Sequence, residues 1–154
     1  KNSDKKNVDR VLNKELTYGL DSLGYYKKLQ HSALSIKLNS LQYLINNKLD
    51  GKKIIAFGAA AKGNTFLNYC GIKSDVIEAV IDETPYKIGK YMPQSKIPIL
   101  PLSAIRGLKP DVIVILPWNH KDEILNKLEF TKEWNCEIVM FIPKLEILQC
   151  KGDD

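Results

Sequence analysis

Residues 53–65 read KIIAFGAAAKGNT, and this stretch decides the fold. Lys53–Phe57 is a short apolar run of the kind that makes a strand buried on both faces. The chain then meets Gly58, and Gly58-Ala59-Ala60-Ala61-Lys62-Gly63 has the spacing G-x-A-x-x-G. That spacing carries meaning where a strand ends in glycine and turns at once into a helix. Gly58 permits the tight turn, a small residue at 60 lets the backbone approach a ligand, and Gly63 lets the helix pack closely on the sheet. The helix opening here presents unpaired N–H groups and partial positive charge, which suits it to phosphate. Lys62, Asn64 and Thr65 add polar donors beside it. The methyl of Ala60 narrows the approach, which favours a smaller or differently posed ligand over an intact dinucleotide.

The same texture repeats downstream. Val76–Ile81 (VIEAVI), Ile97–Leu100 (IPIL), Asp111–Leu116 (DVIVIL) and Cys136–Ile142 (CEIVMFI) read as further strands. Helical stretches separate them: Thr65–Cys70, a short one from Pro101 to about Gly107, and Lys121–Glu133 with Ile124, Leu125 and Leu128 inward. Strands apolar on both faces, alternating with helices, predict a parallel sheet covered on both sides. Right-handed crossovers then make it doubly wound. The expected class is α/β: a Rossmann-like doubly wound parallel sheet of about five strands in the order 3-2-1-4-5, preceded by a helical N-terminal segment.

That segment spans residues 6–48. Val8, Val11, Leu12 and Leu16 recur at helical spacing in a first helix ending near Gly19. Leu29, Ala33, Ile36, Leu38, Leu41, Leu44 and Ile45 mark a second, from Asp21 or Ser22 to Asn47, stopped by Asp50-Gly51. It is long for a small domain and reads as a joint to another domain. The expected layout is a helical segment 1–50, a Rossmann-like domain 51–143 and a tail 144–154 whose closing KGDD frays.

Composition bounds the function. Hydrophobic residues make up 44% and charged residues 27%, enough of each to bury a core and cover it with a polar surface. No run approaches the ~18 apolar residues of a membrane span. The polar opening KNSDKKNVDR is no signal peptide, and the chain begins at Lys1 rather than Met, so a piece of a longer polypeptide is expected. Net charge is +5, concentrated in patches such as Lys5-Lys6, Lys27-Lys28, Lys52-Lys53 and Lys87–Lys90. Such patches are a solvated surface or an attraction for an anionic nucleotide. They are not interleaved with aromatics and no nucleic-acid motif occurs, which argues against nucleic acid. Cys70, Cys136 and Cys150 are odd in number and form no CxxC, so neither a disulfide framework nor a metal site is expected. Reduced cysteines fit a cytoplasmic protein.

Asp82 stands at the end of the second strand, close to the usual offset of ~20 residues from the first glycine. In dinucleotide sites such a carboxylate takes the ribose hydroxyls; a plain turn residue is the alternative. Pro117-Trp118-Asn119-His120 leaves the strongest strand at the switch point. Trp118 would stack on a base or sugar there, and Asn119 and His120 would hydrogen-bond to it, although His120 is equally placed to cap the next helix. Lys87, Gly89, Lys90 and Tyr91 follow strand two and would supply cations or stacking, or simply a solvated loop. His31 reads as surface. The candidate ligand-binding residues are therefore Gly58, Ala59, Ala60, Ala61, Lys62, Gly63, Asn64, Thr65, Asp82, Lys87, Lys90, Trp118, Asn119 and His120. No Ser-His-Asp pattern, HExxH or catalytic carboxylate pair stands out, so no catalytic residue is expected.

FGAAAKGNTFLNYCGI (57–72), AVIDETPYKIGKYMPQSKIPIL (79–100) and PDVIVILPWNHKDEI (110–124) resemble, in that order, the C-terminal domain of the S-adenosylmethionine-dependent sugar C-methyltransferases. The matching positions are Gly58 to Thr65, Asp82 to Pro85, Lys87, Gly89 to Tyr91 and Trp118 to His120. The resemblance spans roughly residues 8–145. It implies an upstream zinc-binding module and a middle domain holding S-adenosylmethionine, with this domain lacking both sites and helping to hold a nucleotide-linked deoxysugar. The domain alone would be inactive, and the helices of residues 6–48 would join it to the middle domain. Two other readings compete. G-x-A-x-x-G with Asp82 also fits an NAD(P)-binding oxidoreductase fragment. The long N-terminal helix, with no catalytic constellation, also fits a non-catalytic interaction domain.

Overall fold

The computed structural model describes residues 2–148; Cys150 and the closing KGDD lie outside the described residues. In chain order the elements are α1 (Asn2–Thr17), α2 (Leu23–Leu49), β1 (Ile54–Phe57), α3 (Ala61–Cys70), β2 (Val80–Ile81), β3 (Ile99–Leu100), α4 (Ala104–Leu108), β4 (Val112–Ile115), α5 (Lys121–Lys127), β5 (Glu137–Met140) and β6 (Glu146–Leu148). A 3-10 turn at Trp118–His120 enters α5, and another at Glu129–Trp134 follows it. The sheet order is β3-β2-β1-β4-β5-β6. The first five strands are parallel, in the expected order.

Side chains alternate across the sheet, and this alternation builds two cores. Ile54 and Ala56 of β1, Val112 and Val114 of β4 and Val139 of β5 face Leu44 of α2 and Phe66 and Leu67 of α3. Ile55 and Phe57, Ile113 and Ile115, and Ile138 and Met140 face Ile105 of α4, Ile124 of α5 and Leu128. Each fully buried Ile contributes roughly 1.5–3 kcal/mol. The Tyr43 hydroxyl donates to Glu137, tying α2 to β5. Cys70 and Cys136 are buried, and burial pushes the Cys70 thiol up to about 11, so it stays protonated.

Three elements differ from the sequence expectation. Val76–Ile81 is not one strand: the amides of Val76 and Ile77 bond the Lys73 carbonyl, forming a turn, and only Val80–Ile81 pairs as β2. The helix expected over 121–133 breaks at Leu128. Both the amide and the hydroxyl of Thr131 bond the Leu128 carbonyl, at 2.8 and 2.7 Å, closing i+3 rather than i+4 contacts. A sixth strand, β6, lies in the segment read as tail and pairs antiparallel with β5. Its three residues include one buried side chain, Leu148, too few to show a strand period. An antiparallel partner needs only the short connection 141–145.

The chain divides between Ser35 and Ile36 into two units. The second holds the sheet and the C-terminal half of α2, where Ser40, Leu44 and Asn47 are buried. In the first, none of residues 5–35 is buried, and His31 is exposed. Substitutions should separate the two. Ile113→Ala, in a central strand and fully buried, should cost about 2–5 kcal/mol. Val11→Ala on exposed α1 should stay within about 0.5 kcal/mol. Urea denaturation followed by circular dichroism checks both.

Candidate functional site

Gly58 leaves β1 at φ 92°, a left-handed conformation that side chains resist. A Cβ there would lie 2.5 Å from Cδ of Pro117, the residue that leads out of β4. The Gly58 amide donates to Ile81 O at 2.7 Å, and the Ala60 amide returns to Gly58 O at 2.8 Å, closing a three-residue turn. Ala60 is extended and opens α3 with no side-chain cap. The first helical bond runs from Asn64 N–H to Ala60 O. The amides of Ala61, Lys62 and Gly63 therefore precede the intrahelical ladder and need outside acceptors. A Cβ on Gly63 would meet Leu116 Cβ at 2.6 Å, so α3 packs there directly against the exit of β4.

Asp82 ends β2 and is 8% exposed. Its Oδ2 accepts the Ala59 amide at 2.7 Å and its Oδ1 the Thr84 amide at 2.8 Å. Lys87 Nζ lies 3.4 Å from Oδ2 and donates to Ala59 O at 2.9 Å. Burial pushes the carboxyl up, but hydrogen bonds from the Thr84 side chain and amide and from Ala59, with the Lys87 ammonium, outweigh it and hold Asp82 below the usual carboxylate range.

Beside this turn lies a cavity of about 420 Å³. Ala59, Ala60, Ala61 and Asn64 form one side; Tyr86, Lys87, Lys90 and Tyr91 form the other, and Met92, Pro93 and Ile99 complete the lining. The second wall is a turn at Thr84–Lys87 followed by a small hairpin. Met92 N–H bonds Ile97 O at 2.8 Å, Ile99 N–H bonds Lys90 O at 2.8 Å, and Gly89 N–H bonds Ile99 O at 2.9 Å. Tyr86 and Tyr91 are 70% and 66% exposed. Asn64 Oδ1 is buried without a hydrogen-bond partner.

The structure sorts the sequence candidates into groups. Ala59, Ala60, Ala61, Asn64, Lys87 and Lys90 share the cavity. Gly58 and Gly63 serve close packing against Pro117 and Leu116. The exposed Thr65 hydroxyl returns to Ala61 O at 3.1 Å. Lys62, Trp118, Asn119 and His120 lie outside the cavity lining. Lys62 Nζ sits 5.4 Å from the Trp118 ring centre and 3.5 Å from Asn119 Oδ1. His120 stands at the start of α5, as the helix-entry alternative has it, and its side chain makes no capping bond. Its Nδ1 is instead 3.8 Å from Glu123, both groups being well exposed. Tyr86, Met92, Pro93 and Ile99 escaped sequence reasoning. No periodicity marks them, and only the hairpin's fold brings them to the glycine turn. Among the described residues no His, Cys, Asp and Glu group is placed to hold a metal, and no helix is long and apolar enough to cross a membrane.

Comparison with known proteins bears on this arrangement. The family model of the C-methyltransferase C-terminal domain matches residues 1–143. The chain belongs to that family. A curated relative, the C-methyltransferase NovU of Streptomyces niveus, is 28% identical over 146 residues. That alignment covers 94% of this chain and 34% of the relative, so the chain spans about a third of NovU's length. The resemblance read from the three sequence blocks is thereby confirmed as far as the C-methyltransferase C-terminal domain, and the glycine turn, Asp82 and Trp118–His120 all lie within the matched region.

Two outcomes follow for this C-methyltransferase domain. Gly63→Ala should destabilise it by about 1–3 kcal/mol through overpacking against Leu116, measured by urea denaturation. Asp82 titrates lower in the folded state than in the unfolded state. Its stabilisation is therefore present above the unfolded value and lost as pH falls through the folded one. Asp82→Asn should lower stability at neutral pH and flatten the acid limb below roughly pH 4, read from urea midpoints at pH 7 and pH 3.

Proposed function

We propose that this domain holds the nucleotide-linked sugar of an S-adenosylmethionine-dependent sugar C-methyltransferase, supplying position rather than proton transfer. One observation carries the reading: an uncapped helix N-terminus opens beside a cavity that two lysines and two exposed tyrosines also line. A diphosphate needs N–H donors and cations together. A nucleoside ring finds aromatic faces in Tyr86 and Tyr91. A cavity of about 420 Å³ falls within the usual range for small-ligand sites. Lys62 reaches towards Trp118 and Asn119, so the Trp118–His120 edge joins the site only for a ligand that extends past the start of α3.

Methyl transfer to a sugar carbon needs a base beside a ketone and a sulfonium methyl held against the carbon. The cavity lining contains neither a carboxylate nor a histidine for that role. The glycine turn does not suit the methyl donor, because the Asp82 carboxylate that would take a ribose diol is engaged by two amides and Lys87. The same engagement weighs against a nicotinamide dinucleotide. In this reading the methyl donor and zinc belong to other domains of the polypeptide, and the isolated domain is inactive.

Titration calorimetry of the full-length protein with thymidine diphosphate glucose tests the reading, with NADH as the contrasting ligand. Ala61→Asp sharpens the test. A carboxylate in the first turn of α3 favours the helix but repels phosphate. Thermal stability should hold or rise while nucleotide-sugar affinity falls by about tenfold or more. No heat from the unmodified protein at millimolar nucleotide sugar, or undiminished affinity in Ala61→Asp, would overturn it.

A further inference from the structure

The acid at the end of a second Rossmann strand ordinarily reads the ribose diol of a bound nucleotide. Here its chemistry is spent inside the protein. The two Asp82 oxygens take amides from two different segments: Ala59 in the glycine turn and Thr84 in the loop leading to the hairpin wall. Lys87 then binds the carbonyl of the same Ala59 and the same carboxylate. Both backbone polar atoms of Ala59 are thus held by one ion pair, immediately before the amides that open α3. Asp82 and Lys87 therefore tie the two sides of the cavity together.

The charge balance points the same way. The Lys87 ammonium faces Asp82 at 3.4 Å, so the pair adds little net field for an incoming anion. Lys90 lines the same cavity, is exposed, and enters no ion pair among the described residues. We propose that Asp82 and Lys87 are positioning residues that hold the glycine turn in its ligand-ready shape, and that Lys90 is the cation that meets the ligand's phosphates. This inference rests on the reading of the cavity as a nucleotide-sugar site. It gives the domain a glycine turn without the ribose reader that usually accompanies one.

The test uses the full-length protein and calorimetry with thymidine diphosphate glucose. Lys87→Met leaves Asp82 buried and unneutralised beside the turn, so affinity should fall by about tenfold. Asp82→Asn keeps one oxygen for the Ala59 N–H but turns an NH2 group towards the Thr84 N–H, so it opens the same brace; the double variant should bind within about threefold of Lys87→Met alone, the two losses not adding. Lys90→Ala should lose about tenfold, and Asp82→Asn should not rescue it. An equal loss from Lys87→Met in both backgrounds would place Lys87 on the ligand and overturn the inference, as would unchanged affinity in Lys90→Ala.

Amide hydrogen exchange in the unmodified protein gives an independent readout that needs no variant. The Ala59 amide should exchange slowly without ligand and no faster with it. Faster exchange on adding the nucleotide sugar would mean that the brace opens to bind, and the inference would fail. A protein that binds no nucleotide sugar at all would instead sink the reading of the cavity itself, an outcome distinct from each of these.

Discussion

Leu116 and Pro117 leave β4 directly against the backbone of Gly58 and Gly63, with room for no Cβ at either glycine. This close approach sets the position of α3, because a side chain at residue 63 would lift the helix from the sheet. With α3 seated this low, its N-terminus emerges at the carboxyl ends of the parallel strands. In doubly wound sheets that edge is where ligands gather. The cavity exists because the hairpin of residues 89–99 closes over the same edge from the β2 side.

Electrostatics complete what packing begins. The first amides of α3 are donors in search of an acceptor, and the net charge of +5 favours an anionic one. A glycine turn is also the part of such a fold most free to flex, since glycine gives up the most conformational freedom on ordering. Here the turn is held from outside by Asp82 and Lys87. A carboxylate kept ionised by hydrogen bonds and a neighbouring ammonium is a stable fixture at neutral pH. A ligand meeting a turn already in place loses less free energy to ordering it.

Much of the fold was legible along the chain, for identifiable reasons. Ile54–Phe57 and Val112–Ile115 are apolar throughout because both faces of the central strands are covered, and such runs announce themselves. Gly58 and Gly63 were legible because a tight turn and a close helix approach each require a residue without a side chain. Other features left no local mark. Val76 and Ile77 look like strand by composition, yet a turn on Lys73 claims their amides. Leu128 sits inside an amphipathic pattern, and the break there comes from Thr131 bonding back to its carbonyl. Leu148 alone anchors β6.

By itself the sequence determined the α/β class, the order of the five parallel strands, the glycine turn at 58–63 and the family. Each of these is written in residues adjacent along the chain or repeating at a fixed period. Tertiary structure alone decided what the polar residues do. Asp82 faces two amides and not open solvent, Lys87 turns to Ala59, and Lys62 leans towards Trp118. The sequence placed Tyr91 in a loop of uncertain direction, and only folding set it with Tyr86 across from α3. The reason is physical: hydrophobic burial follows a period that local sequence displays, whereas a hydrogen bond or ion pair depends on which groups folding brings within about 3 Å of one another.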